Sequence, residues 1–135
     1  MLVKHRGLTN HRARCIILRM IGIIFSFLIL VVGEGINIWA EMSSAKLAGP
    51  QSLLEPKNLV LFLMVFIGCS FLLVGYSIGY GASKTIWTVT VSSIVAILVV
   101  EPFLAYFFFN QLPQKGALIG LILGVIGFIA TIVWV

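Results

Sequence analysis

Acidic side chains are scarce in this chain, and aspartate is missing altogether: Glu34, Glu41, Glu55 and Glu101 are the whole set. Charged residues of either sign make up 10% of the 135 positions, against about 25% in an ordinary soluble domain. That shortage excludes the common cytosolic enzyme folds. Cysteine is as sparse. Cys15 and Cys69 stand far apart with no C-x-x-C or Cys/His spacing, so both read as small packing residues rather than a redox pair or a zinc site. No phosphate loop, nucleophile elbow, His/Glu metal motif or kinase signature occurs. The expectation is a protein that is not an enzyme and holds no metal or cofactor.

What fills the chain instead is apolar. Hydrophobic residues are 61% of the sequence, and they come in long blocks. Four blocks, 20–40, 59–80, 86–109 and 117–135, each come near the roughly 20 residues needed to cross a hydrocarbon layer about 30 Å thick. Between them lie a longer polar stretch, Ser43–Lys57, with Pro50, Gln51, Glu55 and Pro56, and two short turns, Gly81-Ala82-Ser83-Lys84 and Asn110–Lys115 with Pro113. Short turns make neighbouring helices antiparallel. The expected fold is therefore all-α: an integral membrane four-helix bundle, 20–135, preceded by a basic N-terminal segment, 1–19. The apolar run Met20–Val32 is followed by Gly33-Glu34-Gly35 and not by a small-residue cleavage site, which predicts a retained helix rather than a signal peptide.

The net charge of +5 is unevenly placed. Lys4, Arg6, Arg12, Arg14 and Arg19 are five of the nine basic residues, all before the first span. This segment reads as a cytoplasmic anchor rather than a nucleic-acid surface, with His5 and His11 solvated. With the N-terminus inside, Lys84 is inside too, while Lys46, Lys57 and Lys115 are outside; the bias predicts N-in and C-in. The expected location is a bacterial-type inner (cytoplasmic) membrane, spanned several times, with lipid as the surrounding partner.

Two glutamates interrupt the apolar blocks. A carboxylate at membrane depth costs about 2.5–3.5 kcal/mol on insertion scales, so it is retained for a partner or a task. Glu34, Asn37, Glu41 and Ser44 share one helix face. A polar stripe on a membrane helix must face protein or a water-filled cavity. Glu34 and Asn37 are the candidates for binding a proton or cation, whereas Glu41 and Ser44 read as solvated beyond the span. In the third span Thr90, Ser93 and Glu101 share a face, and Pro102 follows Glu101 directly. Proline removes a backbone bond and predicts a kink there. Glu101 is expected either to help bind proton or substrate or to bond a group such as Asn37. Counting along the helices puts both glutamates at one depth; their adjacency does not follow. Thr90, Ser93 and Trp87 are the candidate pocket lining, with a girdle position as the alternative for Trp87.

The fourth span carries Gly116, Gly120, Gly124 and Gly127. Small residues on one stripe let helix backbones approach closely. The stripe predicts association, within the chain or with another subunit. Gly75 and Gly79 with Ser70 give a weaker version in the second span.

From about Ser70 onward the chain resembles the drug/metabolite transporter superfamily, its four-helix small multidrug resistance branch and EamA-type members in particular. The matching residues are Ser70-Phe71-Leu72-Leu73, Glu101-Pro102-Phe103-Leu104-Ala105, Phe108-Phe109-Asn110-Gln111-Leu112, Gly116-Ala117-Leu118-Ile119-Gly120 and Gly127. The resemblance implies a small transporter or flippase subunit. Its first-helix glutamate, matched by Glu34 with Glu41 as a competing position, takes proton and cationic substrate in turn. Its glycine stripe is a dimer-packing surface, so a homo-dimer or hetero-oligomer through the fourth helix is implied. Thr90 and Ser93 stand near where that branch carries the aromatic pair of its cation pocket. The alternative expectation is a non-transporting structural or assembly subunit of a larger membrane complex.

Overall fold

The computed structural model describes the backbone of residues 3–47 and 56–133, with side chains described at 14–47, 56, 58–127, 129 and 130. The described residues are helical almost throughout: α1 is Val3–Leu47, α2 Pro56–Ser83, α3 Ile86–Phe109 and α4 Lys115–Val133. Three stretches, Arg14–Leu47, Asn58–Ser83 and Ile86–Phe109, are long and apolar enough to cross a membrane, as in a multi-pass membrane protein. In α4 the described apolar stretch, Lys115–Gly127, is shorter.

Large apolar side chains lie outside and several polar ones lie inside. Phe66, Leu73 and Phe103 are all at least 70% exposed, while Ser26, Glu34, Asn37, Ser83 and Ser93 are buried. In water such extended apolar surface marks an interface or a membrane. The interior is a seam of small and polar residues flanked by Leu30, Val89 and Ala96, none more than 2% exposed.

Helix limits differ from the apolar blocks at predictable places. α1 has 45 residues, about 67 Å at 1.5 Å per residue, roughly twice an apolar layer. It continues past the block at both ends because Arg, Lys, Glu, Met, Leu and Ala are strong helix formers that need no apolar surroundings. The expected basic segment therefore belongs to a helix from Val3 onward, and the expected polar loop begins only after Leu47; its central part, 48–55, lies outside the described residues. α2 runs through Gly81-Ala82-Ser83, expected as a turn. The Ser83 carbonyl, left without an intrahelical donor, accepts a 2.6 Å bond from the Arg19 guanidinium. The reversal is then made by Lys84, left-handed at φ 61°, whose N–H donates to the Tyr80 carbonyl. The Ser83 hydroxyl donates to the Thr85 carbonyl at 2.9 Å. α3 has the limits read from the sequence and runs through Pro102 as one helix. Asn110, at φ 50° and ψ 35°, ends it, donating its N–H to the Tyr106 carbonyl. Asparagine tolerates this left-handed conformation better than most residues.

α1 and α2 pack antiparallel along most of their shared length, and α3 lies against both. Among the described residues the expected four-helix bundle is not closed: α4 packs against α3 and not against α1 or α2. The one α4 glycine that a neighbouring side chain approaches is Gly124, where an added Cβ would lie 2.6 Å from Leu98 Cδ1.

Candidate functional site

The α1–α2 seam is built on glycine. Gly22, Ser26, Leu30, Gly33 and Asn37 recur every three or four residues, which is one helix face. Opposite them on α2 stand Ala82, Gly79, Gly75, Leu72 and Gly68. A Cβ on Gly33 would meet Leu72 Cδ2 at 2.9 Å and the Gly68 carbonyl at 3.0 Å; a Cβ on Gly68 would meet the Gly33 carbonyl at 3.0 Å. A Cβ on Gly22 would lie 2.8 Å from that of Ala82. The Ser26 hydroxyl crosses the seam and donates to the Gly75 carbonyl at 2.7 Å. Close backbone approach of this kind substitutes for the hydrophobic driving force that is absent between helices in lipid.

On this frame Glu34 and Asn37 sit one turn apart and turn to different neighbours. Asn37, 9% exposed, lies against Gly68, where a Cβ would come within 2.7 Å of its Cγ. Its Oδ1 is buried with no hydrogen-bond partner among the described residues. Glu34, 8% exposed, turns to α3, where the Ser93 hydroxyl donates to its Oε1 at 2.7 Å. Ser93 is itself buried. Among the described residues no cation pairs with Glu34. A hydroxyl can donate to a carboxylate and accept from a carboxylic acid, so the Glu34–Ser93 pair can hold either protonation state without moving the helices.

The pair lies between two packed layers. On one side are Leu30 and Val89, the largest fully buried side chains. On the other, Trp39 meets Phe108 edge-on with ring centroids 4.7 Å apart, and Phe107 at 6.0 Å. Lys46 Nζ lies 3.4 Å from the Phe108 carbonyl beyond them. These contacts fix the α1–α3 register around Glu34.

The remaining sequence candidates are placed elsewhere. Thr90, one turn before Ser93, is half-buried and not bonded to Glu34. Trp87 is 70% exposed, because the buried stripe of α3 is Val89, Ser93 and Ala96 and residue 87 falls on the opposite face at 100° per residue. Glu101 also faces outward. Its neighbour Val100 and Glu34's neighbour Gly35 do approach, the latter's Cβ position lying 3.8 Å from Val100 Cγ1. The two carboxyls thus occupy neighbouring levels, as counting predicted, but point apart: Glu34 inward, Glu101 into a groove of about 550 Å³ between α3 and α4. Asn37 is not its partner. Glu41 and Ser44 are exposed.

Within this chain the α4 glycine stripe, expected to pack on this chain or on another subunit, meets few of the described side chains. Gly124 meets Leu98, but a Cβ at Gly116, Gly120 or Gly127 would meet nothing within 4 Å. The tightly packed glycines lie in the α1–α2 seam: Gly22 and Gly33 on α1, and on α2 Gly68, Gly75 and Gly79, which share a face at spacings of seven and four. That spacing was the signal available for them. Ser70 is not part of it: it is exposed and bonds the Phe66 carbonyl of its own helix at 2.9 Å.

Comparison with known protein families, with curated proteins and with solved structures finds no match to this chain. The resemblance to the drug/metabolite transporter superfamily rests on the quoted residues alone.

Proposed function

We propose that this chain is a small integral membrane transporter or flippase subunit, in which Glu34 takes up and releases a proton or a cation at the α1–α3 interface. The observation that carries the reading is the buried 2.7 Å bond from Ser93 to Glu34. An acidic group inside an apolar span, held by a neutral hydroxyl and left without a fixed cation, is free to exchange its counter-charge. A purely structural carboxylate in lipid is normally paired. One turn further along α1, and facing Gly68 on α2, Asn37 carries a buried carbonyl oxygen without a hydrogen-bond partner among the described residues.

The orientation follows from charge. Arg19 is bonded to the end of α2 beside Lys84, so Arg14, Arg19 and Lys84 gather at one end of the three-helix unit and Lys46 and Lys115 at the other. With the basic segment before Arg14, this supports N-in and C-in insertion in a bacterial-type inner membrane.

The test is reconstitution into proteoliposomes carrying an internal pH indicator. Wild-type chain should carry protons down an imposed gradient, and Glu34→Gln, which keeps the size and the bond from Ser93, should reduce the flux to that of empty liposomes. Equal flux from the two would remove Glu34 from the mechanism.

A second reading is favoured by the bare face of α4. A helix that, among the described residues, packs on α3 and leaves open space at Gly116 and Gly120 suits an assembly subunit that completes its packing on a larger complex. Purification under mild detergent separates the two: a fixed stoichiometric partner with no proton flux from either form supports the assembly role.

A further inference from the structure

Glu101 is the acidic group within the spans that the Glu34 site does not use. It lies eight residues before α3 ends at Phe109, about 12 Å from that end at 1.5 Å per residue. Its side chain is exposed and forms no hydrogen bond or ion pair among the described residues. In a membrane it would face hydrocarbon, where an unpaired carboxylate is expensive.

The groove it lines has a definite shape. The Leu98–Gly124 contact closes one end and the turn with Gln111, Pro113 and Gln114 closes the other. Between them Pro102 and Ala105 form one wall, Gly116 and Gly120 the other, and beyond those two glycines the space is open. The groove therefore combines one carboxylate, small apolar walls and an exposed helix face without side chains.

The occupant follows from charge complementarity. The described cations of this chain lie toward the ends of the helical unit: Arg14, Arg19 and Lys84 at one, Lys46 and Lys115 at the other. In a second copy these cations stay with its helix ends, whereas Glu101 lies about 12 Å inside the end of α3. We propose that the α3–α4 face docks a membrane-spanning helix of a different protein that carries a single lysine or arginine at the depth of Glu101. The bare glycines admit the helix backbone, the groove takes the basic side chain, and the carboxylate neutralises it. The proposal is independent of transport through Glu34.

The full-length chain, labelled with a donor fluorophore in phosphatidylcholine bilayers, is titrated with polyleucine helices of about 21 residues, long enough to span. One is all leucine, one carries lysine at the Glu101 depth, and one carries it at the mirror depth. Because Glu101 and Gly120 are both exposed, Glu101→Gln and Gly120→Leu should fold, which circular dichroism checks. The matched lysine peptide should bind about 3- to 20-fold tighter than the leucine peptide, the range set by polar contacts between membrane helices. Glu101→Gln should abolish that preference, and Gly120→Leu should weaken both peptides. The proposal fails if the lysine confers no preference, if the mirror-depth peptide binds as well, or if Glu101→Gln retains the preference. It fails too if phosphatidylethanolamine erases the preference, which assigns the groove to a lipid amine, or if self-association of the chain excludes all three peptides.

Discussion

Asn37 presses its side-chain amide onto Gly68 of α2, one turn along α1 from Glu34. No side chain larger than hydrogen fits at 68 without displacing it. Gly68→Ala should therefore destabilise the α1–α2 pair by about 1–3 kcal/mol, the usual penalty of overpacking. Unfolding in mixed micelles followed by circular dichroism measures it, and the double variant Gly68→Ala, Asn37→Ala should recover most of the loss.

Removing the donor to Glu34 tests the site without touching its carboxyl. Ser93→Ala should lower stability by about 0.6–1.7 kcal/mol, the span measured for hydrogen bonds between membrane helices. The infrared carboxyl band of Glu34, identified by its loss in Glu34→Gln, should shift in Ser93→Ala and stay put in Thr90→Val.

The two glycine-rich helices should respond oppositely to bulk. Gly75→Val puts a side chain onto Leu30, whose Cδ2 already lies 2.8 Å from the Cβ position, and should cost at least about 1–3 kcal/mol. Gly116→Leu enters open space and should change the stability of the isolated chain by less than about 0.5 kcal/mol. Equal damage from both would mean that α4 packs as tightly as α2.

Arg19 should matter locally. Its 2.6 Å bond to the Ser83 carbonyl closes the last turn of α2. Arg19→Ala should speed amide exchange in the turn 83–85 and leave exchange around Glu34 unchanged, as measured by hydrogen–deuterium exchange.

How legible all this is in the sequence depends on the question. The limits of α3 were readable because Pro113 and Asn110 on one side and the Lys84-Thr85 reversal on the other supply local stop signals. The limits of α1 were not, since an apolar block marks where a helix meets lipid and says nothing about where its hydrogen bonding ends. Glu34 announced itself as a charge inside an apolar run, and Ser93 was placed on the polar face of its own helix. Their pairing depends on the register between α1 and α3, which the Trp39–Phe108 contact and the α1–α2 glycine seam set through space. Glu101 looked equivalent to Glu34 because depth can be counted along a helix, whereas the direction in which it points is decided by which stripe of α3 is buried. The α4 glycines are legible only in part for a similar reason: spacing shows that they share a face, and nothing local shows whether this chain or another subunit lies opposite.

The single attachment of α4 bears on the order in which the protein is made. Synthesis proceeds from the N-terminus, and elements that emerge early can pack before later ones exist. The seam from Gly22 to Asn37, the Ser93 bond and the aromatic layer at Trp39 all lie before Asn110, so every residue that builds the site around Glu34 precedes α4 in the order of synthesis. α4 then arrives to find a neighbour on one side only. On the docking proposed above, a partner helix inserted nearby would meet the opposite side of α4 without displacing any contact made among the described residues.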